Sequence, residues 1–395
     1  MSTDPVALAQ QLVRIDTAGR GELAAARAIE GILTQAGARV ELVHLAPGRA
    51  SLVAFAGEAQ VFKDGAVRAP LVLSGHLDTV PPATEGWSCD PLGGEVADGC
   101  VTGCGAADMK SGVAALVVAV ERFLASGGPA QAVTAPGAPD APGAPAIVLV
   151  LSAAEETGCL GAQQVADAGL VPTGGPLLVA EPTANRIALG HKGAQWLEYV
   201  ARGVSAHGSR PELGKSALAP LARIAVKLAE HGVPVADGDA RAFDEVTVNV
   251  GTIRAGAQVN LVPDSGTLTV DLRPVPGTDP VALARAMAGL IAEGEDVTLR
   301  PLLDHAPVYS PADGTFVALV EHSLREVTGQ AERIEPLTYF TDASVLTTAL
   351  GSPEVVIVGP GEPTAAHSAD ERCSVNRITE ACAVYERIIA GWAGP

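Results

Sequence analysis

Short apolar runs at 51–56, 70–74, 147–151 and 176–180 alternate with longer stretches of helical periodicity near 3–17, 21–37 and 108–126. Apolar runs this short read as buried strands, and strands alternating with helices predict an α/β layer fold on a mixed or mostly parallel sheet. Buried strands of this kind deliver the residues that follow them to one rim of the sheet. Those residues are chemically loaded here. His76 and Asp78 follow the second run, Glu155 and Glu156 the third, and Glu181 the fourth.

The pattern changes after His191-Lys192-Gly193. A polar–apolar alternation at 194–203 predicts a half-exposed strand, followed by a helix at 215–231, strands near 245–254 and 265–273, a helix near 279–292 and a strand near 296–300. That order, β-α-β-β-α-β, belongs to a small ferredoxin-like sandwich. From about Leu302 the helix–strand alternation resumes and ends with a helix near 377–392. The expected organisation is a discontinuous domain of residues 1–192 and 302–395 with a smaller domain, 193–301, inserted into it. Two domains suit a chain of 395 residues, longer than one hydrophobic core usually supports. The Pro-, Ala- and Gly-rich stretch 126–146 is expected to be a flexible surface loop.

Only 18% of the residues are charged against 48% hydrophobic, the balance of a packed globular chain. A net charge of −19 argues against nucleic acid and anionic membrane as partners. Bound divalent cations would neutralise part of it. No apolar run reaches the roughly 18 residues of a spanning helix, and Met1–Pro5 lacks the basic and apolar regions of a secretory signal. The six cysteines show no framework spacing, and only Cys100 and Cys104 stand close together. Reduced thiols in a cytoplasmic protein are expected.

His76 and Asp78 lie two apart, so in extended chain they face the same side. A neutral imidazole is a good zinc ligand, and a carboxylate partner fixes its tautomer; structural duty is the alternative. Asp108 sits in a glycine-rich turn, Gly103-Cys104-Gly105-Ala106-Ala107, where a carboxylate can bridge two cations or cap the next helix. Consecutive Glu155 and Glu156 point in different directions, so one could bind metal while the other handles protons. Surface acids at a turn are the alternative. Glu181 repeats the strand-then-acid pattern, with a solvated strand-end acid as its alternative. His367 follows an apolar run and Gly359-Pro360-Gly361, where an ordinary loop histidine is also possible. Together the set suits two metal ions with one shared acid.

The motifs Gly75-His76-Leu77-Asp78-Thr79-Val80-Pro81, Gly105-Ala106-Ala107-Asp108-Met109-Lys110, Glu155-Glu156-Thr157-Gly158, Glu181-Pro182-Thr183 and the late Gly-Pro-Gly…Ala-His span essentially the whole chain. In them the sequence resembles the dinuclear-zinc deacylase and exopeptidase family of acetylornithine deacetylase, succinyl-diaminopimelate desuccinylase, glutamate carboxypeptidase and aminoacylase. The resemblance implies a zinc-peptidase-like α/β/α catalytic domain with an inserted ferredoxin-like lid and dimerisation domain. It implies two divalent ions, Zn2+ first and Co2+ or Mn2+ as alternatives. His76 and Glu181 would hold one ion, Glu156 and His367 the other, and Asp108 both. Glu155 would be the general base, Asp78 would orient His76, and the peptide after Asp108 would be cis. In the lid, Ala206-His207-Gly208-Ser209-Arg210-Pro211 matches the family's oxyanion-stabilising histidine, which acts across a homodimer. Asn260 and Arg273 match substrate-holding positions. A guanidinium forks onto a carboxylate, so Arg273 implies a substrate with a free carboxylate, a surface ion pair being its other reading.

The chain departs from the family's usual arginine at Cys104 and glycine at Ser111, neither of them a ligand position. Tyr339-Phe340-Thr341-Asp342-Ala343 looks more like the acetylornithine deacetylase side of the family. The expected activity is metal-dependent removal of an N-acyl group from a small amino acid. A dipeptidase or carboxypeptidase using the same site is the enzymatic alternative, and a catalytically silent scaffold the non-enzymatic one.

Overall fold

The apolar runs become neighbouring strands of one six-stranded sheet, ordered Arg39–Ala46, Arg49–Glu58, Pro145–Ser152, Leu71–His76, Leu177–Val179, Val355–Ile357. The computed structural model describes residues 2–18, 20–58, 68–126, 145–233, 243, 245–351 and 353–393. The loop expected at 126–146 falls almost entirely outside them. The last four strands in the order are mutually parallel, and the first two add an antiparallel hairpin edge. Leu52, Leu73, Leu149, Leu178 and Val356 pack into a core shared with the helices Pro5–Val13, Leu23–Ala36, Ser111–Ala125, Thr315–Thr328 and Val375–Ala393. The intervening Val53, Val72, Val148 and Val150 are equally buried. Both sheet faces are therefore covered, as continuous apolar strands require.

Parallel direction and register set the rim. His76 pairs with Ser152 and Ser74 with Val179, so the chain leaves three adjacent strands at the same edge. His76, the 153–156 turn and Glu181 start from there, the carboxyl-end crevice where open α/β sheets bind ligands.

Some elements differ from the sequence reading. The helix expected from 108 starts at Ser111, because Ala106–Lys110 forms an irregular turn with Asp108 at φ −122°, ψ 94°. Asp108 is thus not the helix cap. The strand Arg39–Ala46, absent from the sequence reading, lies at the sheet edge with half-buried residues and no clean alternation.

The chain divides into two units: Met1–Gly190 with Tyr309–Ile334 and Thr341–Pro395, and His191–Val308 with Glu335–Phe340. The second unit extends past residue 301 because the strand Val297–His305 stays paired as far as His305 opposite Ala194. It also takes in 335–340, where Lys192 N–H donates to the Leu337 carbonyl. Its antiparallel sheet runs Thr247–Ala255, Ser265–Arg273, Ala194–Arg202, Val297–His305. Leu197, Tyr199, Leu268, Val270 and Leu272 of that sheet bury against Leu221, Ile224 and Leu228 of helix Leu218–His231 and Leu283 and Met287 of helix Pro280–Ala288. Among the described residues no helix is long and apolar enough to cross a membrane.

Candidate metal centre

Local structure explains why each side chain sits where it does. His76 ends its strand, is 1% exposed, and its Nδ1 lies 2.9 Å from the main-chain carbonyl of Asp78. With that N–H donated, the Nε2 lone pair points into the site. The Asp78 carboxylate was expected to orient His76, yet it lies 3.7 Å from Nδ1. Its two oxygens instead accept the N–H groups of Glu155 and Glu156, each at 3.1 Å. One aspartate thus serves the imidazole through its main chain and the glutamate turn through its side chain.

Asp108 is presented by the irregular turn. Gly105 adopts φ +80°, and a Cβ there would lie 2.4 Å from Thr79, so only glycine fits. Glu371, 2% exposed, accepts the N–H groups of Gly105, Ala107 and Asp108 at 2.8, 2.8 and 2.9 Å. The Asp108–Met109 peptide is cis, as the resemblance implies. Sequence reasoning missed Glu371: nothing in Asp370-Glu371-Arg372 sets it apart from a solvated charge run.

Among the described residues, the candidate donor atoms fall into two groups, His76 with Asp108 and Glu181, and Asp108 with Glu156 and His367. Within each group the atoms lie within 4.8 Å of one another. Asp108 Oδ1 is 3.0 Å from His76 Nε2 and its Oδ2 is 3.3 Å from His367 Nε2. Glu181 Oε1 lies 4.0 Å from His76 Nε2, and Glu156 Oε1 lies 3.0 Å from His367 Nε2. Glu155 belongs to neither group. It is 6% exposed, with Cys159 Sγ at 3.9 Å from Oε1.

Electrostatics test whether these residues suit cations. Burial drives the Glu155 and Glu181 carboxyls well above their ordinary range, and neighbouring acids push in the same direction. Burial would lower the His76 imidazole, but its hydrogen bond with Asp108 and the Glu181 charge raise it well above its ordinary value. Hydrogen bonds with Asp108 and Glu156 lift His367 to about 10. Burial alone would raise Asp108, yet the two imidazoles hold it well below the usual carboxylate range. The raised imidazoles and the lowered Asp108 mark a pocket of clustered acids that favours positive charge. Two imidazole nitrogens facing three carboxylates, one of them shared, fit a pair of divalent cations.

The three remaining expected residues lie in the second unit. His207 Nδ1 is 2.8 Å from Ser209 Oγ, and Gly208 N–H donates to the Asn260 carbonyl at 2.7 Å, so the His207 and Asn260 loops are neighbours. Arg273 reaches Asp271, with Nε 3.0 Å from Oδ1 and Nη2 3.0 Å from Oδ2, and stands 5.5 Å from the Phe340 ring centroid.

Residues 72–391 match the family described as Peptidase family M20/M25/M40. The chain is similar to a succinyl-diaminopimelate desuccinylase from Cereibacter sphaeroides, at 30% identity over 98% of this chain and 99% of that protein. Among solved structures it is similar to an M20 metallo-carboxypeptidase from Sulfolobus solfataricus, with TM-score 0.77, 17% identity and 98% of each chain covered. A dinuclear metal binding peptidase of the M20 family from Bacillus subtilis superposes with TM-score 0.67 at 14% identity, over 98% of this chain and 96% of the other.

Proposed function

Because the chain belongs to peptidase family M20/M25/M40, we propose that it is a metal-dependent amidohydrolase that removes an N-acyl group from a small amino acid. The observation that carries this reading is the pair of donor groups sharing Asp108, with the buried Glu155 beside them and outside both. His76, Asp108 and Glu181 would hold one divalent ion, and Asp108, Glu156 and His367 a second. Zinc is the ion proposed, and cobalt or manganese suits the same donors. When bound, such ions polarise the scissile carbonyl and bring the pKa of water from about 15.7 towards about 7.

Glu155 takes the proton of the attacking water on a carboxylate oxygen and returns it to the leaving nitrogen. A positioned acid–base group of this kind contributes about 10²–10⁴-fold. Asp78 and His76 keep the rim in register through the contacts described above. By the family resemblance, His207 donates to the tetrahedral oxyanion in a homodimer formed through the second unit, and Asn260 and Arg273 hold the substrate carboxylate. A cytoplasmic location belongs to the same proposal.

Similarity to a carboxypeptidase supports a second reading, peptide-bond cleavage at the same site. The acyl group is a finer question: Tyr339–Ala343 resembles the acetylornithine side, whereas the 30%-identical relative is a desuccinylase. Steady-state turnover of acetylornithine, succinyl-diaminopimelate, other acetylated amino acids and simple dipeptides separates these. The proposal expects kcat/KM highest on an N-acyl amino acid. A strong preference for dipeptides would overturn it.

A further inference from the structure

Four consecutive N–H groups in the turn bearing Glu155 and Glu156 are accepted by side chains from distant parts of the chain. Ala153 donates to Ser51 Oγ at 3.0 Å, Ala154 to Glu22 Oε1 at 3.3 Å, and Glu155 and Glu156 to Asp78. At the centre of this fan Ala154 adopts φ +60°, the left-handed region that an alanine avoids because its Cβ crowds the following carbonyl. That one residue turns the chain between the buried strand end and the two glutamates. Something must hold it there.

Glu22 is placed to do so. It is 0% exposed and stands at the cap position of helix Leu23–Ala36, yet it makes no capping hydrogen bond to that helix. Arg49 answers its charge: Nε lies 3.2 and 3.1 Å from the two carboxylate oxygens, and Nη2 reaches Oε1. Arg49 is raised above its ordinary value chiefly by that contact. The two residues meet because Leu23 N–H donates to the Gly48 carbonyl at 3.0 Å. Gly21 also lies so close to that carbonyl that a Cβ would come within 2.4 Å. A buried carboxylate needs pairing and full hydrogen bonding to be tolerated. Among the described residues, its bond beyond Arg49 goes to Ala154.

We propose that Glu22, charge-balanced by Arg49, is a positioning residue for the general base. It locks Ala154 in the left-handed turn that sends Glu155 inward and Glu156 towards His367. This rests on Glu155 acting as the base. A misplacement of about 1 Å can cost about 10²-fold in rate, so the lock reads out in kcat.

The test compares full-length, metal-loaded variants for kcat, KM, metal content and thermal midpoint. Glu22→Ala is expected to lower kcat by about 10- to 100-fold, with KM within about twofold and metal content unchanged. Glu22→Gln keeps an acceptor oxygen and should lose less. Ala154→Gly in the Glu22→Ala background should restore most of kcat, because glycine takes a positive φ without strain. A simple stability defect would lower the thermal midpoint and leave kcat per folded, metal-loaded molecule unchanged. Should Glu22→Ala not accumulate as folded protein, Glu22→Gln with and without Ala154→Gly carries the same comparison. Wild-type kcat in the Glu22 variants, or a loss that Ala154→Gly leaves unrescued, overturns the inference. Glu155→Gln separates the two levels. If it turns over like wild type, the base assignment and the inference both fall. If it is inactive while Glu22→Ala is unimpaired, only the inference falls.

Discussion

At the scale of single residues, the side chains easiest to read were those whose chemistry is rare after an apolar run. His76, Glu155, Glu156 and Glu181 each leave a buried strand, and a charge there asks for an explanation. Glu22 and Glu371 carry as much of the geometry, yet in sequence they are ordinary acids, one beside a helix start and one between Asp370 and Arg372. Their work is visible only through the distant N–H groups they accept. Asp78 was legible as part of the site, but the atom that meets His76 is its carbonyl rather than its carboxylate. His191 gives a prediction at this scale. Burial lowers it to about 4, below the ~6.5 of a free histidine, so the unfolded chain takes up a proton first as pH falls. Stability tied to the neutral ring is complete above about pH 6.5 and drains away as pH drops towards about 4. Between those limits, the thermal midpoint of a His191→Gln variant should fall less steeply with acidification than that of the unaltered protein. Identical slopes would show that His191 does not contribute.

At the scale of elements, apolar runs located the central strands because burial on both faces leaves an unbroken hydrophobic signature. The edge strand Arg39–Ala46, covered on fewer sides, leaves none. Helical periodicity continued through Asp108, hiding the irregular turn that presents it. Only the glycines of that turn hinted at departure from a regular helix. The inserted unit was readable because its six elements keep the spacing of a ferredoxin-like sandwich, although its last strand runs to His305. Close packing after the glutamate turn yields a second prediction. Helix Leu160–Asp167 begins against that turn, and a Cβ on Gly161 would sit 2.2 Å from the Ala153 carbonyl and 2.5 Å from Ser51 Oγ. Gly161→Ala should therefore destabilise the first unit by about 1–3 kcal/mol, the usual range for overpacking, and depress kcat with it. Chemical denaturation beside steady-state kinetics checks both. An unchanged midpoint would mean that the turn yields without consequence.

At the scale of the molecule, parallel strands bring three chemically loaded loops to one rim, and the Gly105 turn presents Asp108 beside them. Scattered motifs thereby become two donor groups around a common aspartate. The proposed roles of His207, Asn260 and Arg273 were less legible, since they draw on resemblance rather than on a pattern that strand or helix periodicity reveals. Part of the chain's negative charge lies in this cluster of acids, which could hold metal ions. The most direct test is therefore to count divalent ions bound by the unaltered chain and by single variants, using calorimetric titration with zinc. Two ions per chain are expected, matching the two donor groups. His367→Ala should weaken one site and Asp108→Ala both. An Asp108→Ala protein that still binds two ions as tightly as the unaltered chain would contradict the shared-aspartate centre.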